Sequence, residues 1–542
     1  MSIINVNESL QCDFSKTKYK NNKSVRKGYT LVVDIGTTTM KVAIINEKNR
    51  IILCESEKVQ INISRKNDIF QAEMDPEILW NQFVELVKKT ITQFGSIELI
   101  ESFGMCCQRN TFVSWDKRNM KPIHPLITWK DCRGKDACNQ WNKGLFIKTL
   151  NIAGSVLYFL LRGEKFKSIK IFRFINAMVS HRFLAISKEY KEVEKLRKEG
   201  YLGFGFLDTW IVAKLTNGNK IVSEPSGSST TGLYDPYVRN WASYMLKIIS
   251  FPSEILPNLT SSAGEVIGMI NKSIFGCEIP ICSLMGDQQA AIVGAGCLSV
   301  GDVKISLGTG SFVNVNTGKN VFASLLGLYP ICAYKIRNDY CFAVEGVSSD
   351  TSEVINWAGM MNLYDRLEHC SDIAFSGNTD NQLNFFPSFS GVQTPINDTN
   401  ACCALLGINS SSKKEDILRA ILESISFRVY QLWKAVYNEI SNFKCGKIRI
   451  CGGVSTNDFI CQTFCTLIDK EIERPTDYTS TTLIGSAFMC NVTKGYYDIT
   501  DISNIISTDK IFKPNKHEHK KLLEKYNNWE KSLERTLEYY KK

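Results

Sequence analysis

The sequence predicts an α/β protein built as two related lobes, and three observations carry that reading. β-rich runs alternate with long helical patterns over almost the whole chain, which argues for layered α/β structure and against an all-α or all-β body. A Gly/Thr turn between two β-rich runs occurs twice, at residues 34–39 and again at 308–310, about 270 residues later. With 542 residues the chain can form two large lobes, since a domain takes roughly 150 residues.

Residues 1–27 are rich in Asn, Lys and Ser, with too little apolar surface to offset the entropy of ordering, and are expected to be a disordered leader. Ordered structure is expected from Tyr29, where Leu31-Val32-Val33 runs into Asp34-Ile35-Gly36-Thr37-Thr38-Thr39 and on to Val42–Ile45, a hairpin signal. Asp75 before Pro76 reads as an N-cap and first-turn pair, and Leu79, Phe83, Leu86 and Thr90 continue at helical spacing. The insertion at 151–202 carries Lys165, Lys167, Lys170, Phe172 and Phe174 and reads as a solvated loop with a short buried helix, the alternative being a partner or membrane-surface patch. Val303–Leu307, Gly308-Thr309-Gly310 and Phe312–Val315 repeat the first hairpin. Ser412 and Glu415 form a capping box ahead of Ile417, Ile421, Ile425, Val429, Leu432 and Val436, a core helix. In the tail, Leu522, Tyr526, Trp529, Leu533, Leu537 and Tyr540 share one face of a helix that should dock on the body. The expected division is a leader 1–27, a first lobe 28–294, a second lobe 295–509 and a helical tail 510–542.

The formal charge of +10 sits mostly at the ends: residues 1–28 carry +4 and residues 510–542 carry +5. A nucleic-acid groove needs clustered positive charge on the folded body, so nucleic acid is set aside as a partner. No apolar run reaches the 18 or more residues of a membrane span, and a cytoplasmic location is expected. The 19 cysteines form no CxxC pair and read as reduced core thiols; His517 and His519 read as a solvated face.

Close approach of backbone to phosphate needs small residues, free amides and hydroxyl donors, and Asp34 to Lys41 supplies all three. It is no Walker loop, because a strand follows Lys41 where that motif has a helix. Taken alone this hairpin and Gly308-Thr309-Gly310 are ordinary turns. Cys451-Gly452-Gly453 suits a nucleotide lying across a strand end, or a plain connection between strand and helix. Gly286-Asp287-Gln288-Gln289 reads singly as a polar turn. Three phosphate-type turns and one such aspartate in order along one chain are much less expected by chance than any one of them.

With Gln108-Arg109-Asn110-Thr111, Trp129-Lys-Asp-Cys-Arg133, Asp208-Thr-Trp210 and Pro387-Ser-Phe-Ser-Gly391 added, the ordered set resembles the FGGY carbohydrate kinases. Gln288 and Gln289 favour the glycerol kinase branch, and the insertion is similar to that of the divergent fifth animal type. The resemblance implies two ribonuclease-H-like lobes of the actin/hexokinase type, closing on ATP, Mg²⁺ and glycerol or a similar small polyol, and leaves a homodimer open. It implies Asp287 as general base, with Asp34 and Asp287 holding Mg²⁺ directly or through water. Asp34, Gly36, Thr37, Thr38, Lys41, Gly308, Thr309, Gly310, Ser352, Asn356, Gly452, Gly453 and Asn457 would face the nucleotide. Arg109, Asn110, Trp129, Gln288 and Phe312 would border the acceptor.

The departures fall mostly on the acceptor side. Asn110 stands where glycerol kinases have Glu, and the 172–187 stretch has no counterpart of their pocket tyrosine. Lys41 replaces the usual Arg, Ser352 a Gly, and Asn356 a Gln. The expected activity is ATP-dependent phosphorylation of glycerol to glycerol 3-phosphate. The alternatives are a kinase for another small polyol or sugar, and a nucleotide-binding regulatory or scaffold protein with weak turnover.

Overall fold

The apolar runs flanking the two Gly/Thr turns seed two sheets of the same design. In the computed structural model, which describes residues 28–440 and 443–541, strand Tyr29–Ile35 pairs antiparallel with Thr39–Ile45, setting Asp34 opposite Lys41. Ile51–Lys58 extends the sheet on one side. On the other side Ile100–Cys107 and then Ile279–Gly286 add in parallel. The second sheet repeats this order. Val303–Leu307 pairs with Ser311–Gly318, Asp339–Ser348 lies beyond, and Ile448–Cys451 and Ile472–Pro475 add in parallel on the far side. The expected leader lies outside the described residues.

Helices fill the layers around and between these sheets. Asp75 caps Pro76–Phe94 by accepting the amides of Glu77 and Ile78, each at 2.9 Å, and that helix covers the outer face of the first sheet. Lys414–Glu439 and Asp458–Ile468 cover the second. The cap of Lys414–Glu439 differs from the Ser412/Glu415 expectation: Asp416 reaches back to the Lys413 amide at 3.0 Å, while the Ser412 hydroxyl accepts from Asn409. A carboxylate one position further on supplies one half of that geometry, since the lysine side chain at the cap position has no acceptor.

Two helices lie between the sheets, Asp287–Gly294 and Thr481–Thr493, in a shared core with Val32, Ala43 and Ile45 of the first sheet and Ile331 and Ala343 of the second. They touch backbone to backbone. A Cβ on Gly294 would overlap the Thr481 carbonyl, and one on Gly485 would overlap that of Ala290. The segment Gly286-Asp287 is therefore a strand-to-helix junction and not the polar turn expected from it in isolation. Asp287 opens a helix of only 8 residues, too short for periodicity to announce.

The insertion also corrects its expectation. It is helical: Leu145–Leu161, Glu164–Lys170, Val179–Glu189 and Lys191–Glu199. Phe174 and Lys167 are buried, but the longest helix shows most of its apolar side chains to solvent. Among the described residues no single helix is long and apolar enough to cross a membrane. The tail helix Lys516–Leu533 docks through Tyr526, Trp529 and Leu533, whereas Tyr540 is exposed because the helix gives way to a tighter turn at Glu534.

Gly485→Ala should force the two central helices apart and destabilise the fold by about 3 kcal/mol, the upper range for overpacking. Denaturant unfolding of the variant checks this; a midpoint equal to wild type would show that the backbones are not in contact.

Candidate active site

The three parallel strands of the first sheet end in register, Ile35 and Gly286 both beside Cys107. The residues that follow each end, Gly36-Thr37-Thr38, Arg109-Asn110 and Asp287-Gln288, are thereby gathered at one edge, the carboxyl edge at which open α/β sheets bind ligands. In the second sheet Ser306 lies beside Cys451, so Gly308-Thr309-Gly310 and Gly452-Gly453 also leave neighbouring strand ends.

Asp34 is tied to the second half of the chain by a 2.6 Å hydrogen bond from the Thr482 hydroxyl. Its other oxygen is buried without a conventional partner, beside the Cys106 thiol. Burial, with the Asp287 charge adding and Thr482 and Lys41 opposing, pushes its pKa up to about 6. Lys41 reaches the Thr479 carbonyl at 3.3 Å, and the Gly452 amide bonds the adjacent Tyr478 carbonyl at 2.7 Å, so one loop connects both phosphate-type turns.

Asp287 accepts the Gln288 amide at 2.7 Å and lies 3.8 Å from the Arg109 guanidinium. Although 26% of its side chain is open, the surrounding atoms are buried, and burial raises its pKa against the pull of Arg109. Behind it, Glu224 accepts the Ser226 hydroxyl at 2.6 Å, and that hydroxyl accepts the Gly286 amide at 2.9 Å, fixing the junction from which Asp287 projects.

A row of buried polar residues in the second sheet completes the surroundings. Lys304, Asn314 and Glu345 are cross-strand neighbours on three adjoining strands. Lys304 donates to the Gln288 and Asn314 side chains, each at 2.8 Å; Asn314 donates to Glu345 at 3.0 Å; Glu345 accepts from Arg109 at 2.9 Å. The path leaves Asp287 through Gln288 and returns to it through Arg109. Arg109 Nη1 is buried with no partner. Lys304, Asn314, Glu345 and Thr482 were not singled out from the sequence; the signal was a polar residue at an alternate position within apolar strands such as Val303-Lys304-Ile305.

Among the remaining expected residues, Thr37 accepts from the Trp129 indole at 3.0 Å and donates to Gln108 at 3.0 Å, joining two of the motifs. Phe312 lies two residues before Asn314, on the same face of the strand. Thr38, Thr309 and Asn356 are exposed, and the Ser352 amide bonds the Gly308 carbonyl at 3.1 Å. Asn457 caps helix Asp458–Ile468 by accepting the Ile460 amide, which commits its side-chain oxygen. Gly452 has φ of 95° and presses on the Leu307 backbone, reason enough for glycine there. Gly310 abuts the Ser348 carbonyl. By contrast a Cβ on Gly453 would meet nothing within 4 Å, and one on Gly308 only a carbonyl at 3.9 Å. No packing demand explains those two glycines.

Asn110 has φ of 62°, a backbone asparagine tolerates well, and its side-chain oxygen accepts from Thr230 at 2.9 Å. Its carbonyl receives Arg182, a buried insertion residue in the stretch that lacks the tyrosine. Among the described residues no three His, Cys, Asp or Glu side chains form a metal cluster. Asp34, with one oxygen unpaired, and Asp287 suit Mg²⁺ shared with phosphate and water rather than an all-protein cage.

The N-terminal domain of the FGGY family of carbohydrate kinases matches residues 29–294, and the C-terminal domain of that family matches residues 303–493. The chain is 34% identical to glycerol kinase 5 of Bos taurus over 96% of its length and 97% of that protein. It is 28% identical to glycerol kinase 2 of Thermotoga maritima, covering 95% of this chain and all of that one. In fold it is similar to the crystal structure of Plasmodium falciparum glycerol kinase with ADP, with a TM-score of 0.82 at 24% identity over 94% of this chain and 98% of that one. The two lobes are thus of the actin/hexokinase type.

The Asp34 carboxyl carries a pH signature. Its folded pKa of about 6 lies above the unfolded value near ~3.9, so between them the folded state holds more protons and stability falls as pH rises; the full penalty is present above about 6. Asp34→Asn should therefore melt higher than wild type at neutral pH and lose that advantage as the pH is lowered through 6 towards 4. Thermal unfolding across that range checks it; a constant difference at every pH would contradict the assignment.

Proposed function

The chain belongs to the FGGY family of carbohydrate kinases, and from that premise we propose that it transfers the γ-phosphoryl group of ATP to a terminal hydroxyl of glycerol, giving glycerol 3-phosphate. The observation that carries this reading is Asp287, a carboxylate with a raised pKa at the carboxyl edge of the first sheet, flanked by Arg109 and backed by the buried polar path.

Phosphoryl transfer asks a protein to align the nucleophile, neutralise phosphate charge and exclude water. Asp287 takes the proton from the attacking hydroxyl, and its raised pKa suits proton transfer nearer neutral pH. Arg109, held by Glu345, orients Asp287 and offers its unpaired Nη1 to an acceptor hydroxyl. Lys41 and the Thr309 hydroxyl meet the phosphates, the Thr37 hydroxyl already donating to Gln108, with Gly308 and Gly453 leaving room for the nucleotide against the backbone. Mg²⁺, held by Asp34 and Asp287 directly or through water, would supply further charge neutralisation. ATP as donor and 18 free thiols among the described residues agree with a reducing, cytoplasmic setting.

Asn110 favours a second reading in the same chemistry. Its amide is already engaged by Thr230 and offers a neutral acceptor where a carboxylate would make a stronger bond to a polyol hydroxyl. Another small polyol or sugar then replaces glycerol. ADP release from Mg-ATP with glycerol, dihydroxyacetone, erythritol, xylulose and ribulose separates the two. Turnover with none of them would leave a nucleotide-binding protein without kinase activity on these acceptors.

Asp287→Asn should lower kcat by about 10² or more while ATP affinity stays near wild type; an unchanged kcat removes Asp287 from the chemistry. Gly308→Ala and Gly453→Ala should keep the wild-type melting temperature, since each methyl enters open space, and weaken ATP binding. Calorimetric titration giving wild-type affinity in both variants would place the nucleotide elsewhere.

A further inference from the structure

Helix Leu145–Leu161 is apolar on both sides: Ile147 is buried towards the body with Phe146 and Leu150 packed beside it, and a second apolar side faces away. The side facing the body packs through Gly154, where a Cβ would meet the Lys170 amide at 2.5 Å and the Ile169 backbone at 2.8 Å. Asn151 on that side lies against the Ile169 and Phe172 carbonyls, and Ser155 bonds the Asn151 carbonyl at 2.8 Å. The side facing away carries Leu145, Ile152, Val156, Phe159 and Leu160, with relative exposures from 53% at Val156 to 78% at Leu145. At 100° per residue these five fall in one stripe about 100° wide, the width that normally faces a core.

The charge around this stripe is one-sided. Residues 143–173 hold seven Lys or Arg and one acidic residue, Glu164, whereas residues 29–509 as a whole are close to neutral. Glu164 is engaged by the Ala323 amide at 2.8 Å. Lys143, Lys148, Arg162, Lys165 and Arg173 are exposed. Arg162 lies over the Phe159 ring at 5.6 Å, a cation and an aromatic together at the rim of the apolar face.

We propose that this helix lies in the plane of an anionic lipid surface and attaches the protein to it, its apolar stripe among the acyl chains and the surrounding cations on the headgroups. Its 17 residues extend about 26 Å, short of a hydrocarbon core of about 30 Å, and its packing on Glu164–Lys170 holds it along the body, so it lies on the bilayer and does not cross it. A second copy fits this face poorly, because a twofold contact would bring each basic patch against its own image.

Flotation of the full chain with vesicles tests this. The chain should rise with phosphatidylcholine vesicles containing about 30 mol % phosphatidylserine, and less so in phosphatidylcholine alone or at high salt. The triple variant Ile152→Glu, Phe159→Glu, Leu160→Glu should lose about tenfold in binding with its melting temperature unchanged. With wild-type protein, hydrogen exchange over residues 145–161 should slow on adding the anionic vesicles. Equal binding by wild type and variant, or no binding by wild type, overturns the proposal. So does a wild-type dimer that the triple variant converts to monomer without any vesicle binding, since the face would then belong to a protein contact.

Discussion

The buried polar path from Gln288 through Lys304, Asn314 and Glu345 to Arg109 is the constraint on which the rest of this site depends. Its members come from both halves of the chain, and the three at its centre, Lys304, Asn314 and Glu345, are out of water, where an unpaired donor or charge is costly. The sheets can therefore meet closely only in the arrangement that satisfies every link. That arrangement sets Arg109 beside Asp287 and Asp287 near Asp34. Satisfying the interior and assembling the site are one event, and Glu224 and Ser226 secure the same junction from behind.

Much of the architecture is legible in the sequence because its signals are local. Each Gly/Thr turn lies between β-rich runs, and the Asp75-Pro76 pair marks its helix start without tertiary help. Asp287 stands out as a carboxylate between apolar segments. Its true setting at a helix start does not, because about two turns of helix give periodicity too little length. Lys304, Asn314 and Glu345 are harder still: a polar residue in a strand ordinarily reads as a solvent-facing position, and only the register of three strands makes a row of them.

The insertion illustrates a related limit. Periodicity reports that a helix has an apolar side but not which way that side is turned. Leu145–Leu161 looks like a buried element until Gly154 is seen to fix the opposite face against the body. The same region supplies Arg182, whose guanidinium bonds backbone carbonyls including that of Asn110. The departure at position 110 and the rewritten stretch are thus physically joined, since the insertion holds the Asn110 backbone.

The contact of Gly294 with Thr481 and of Gly485 with Ala290 acts as a fulcrum. Backbones already touching can neither approach further nor admit solvent, so along that line the two sheets keep a fixed spacing and their relative movement reduces to rotation about it. Leverage grows with distance from such an axis. Asp287 begins the helix that Gly294 ends, only about 10 Å away along its axis, so it belongs to the slow part of the swing. The turn at Gly308-Thr309-Gly310 follows a strand of the opposite sheet. A rotation about this line would therefore move the Gly308-Thr309-Gly310 turn past a nearly stationary carboxylate, rather than the carboxylate past the turn.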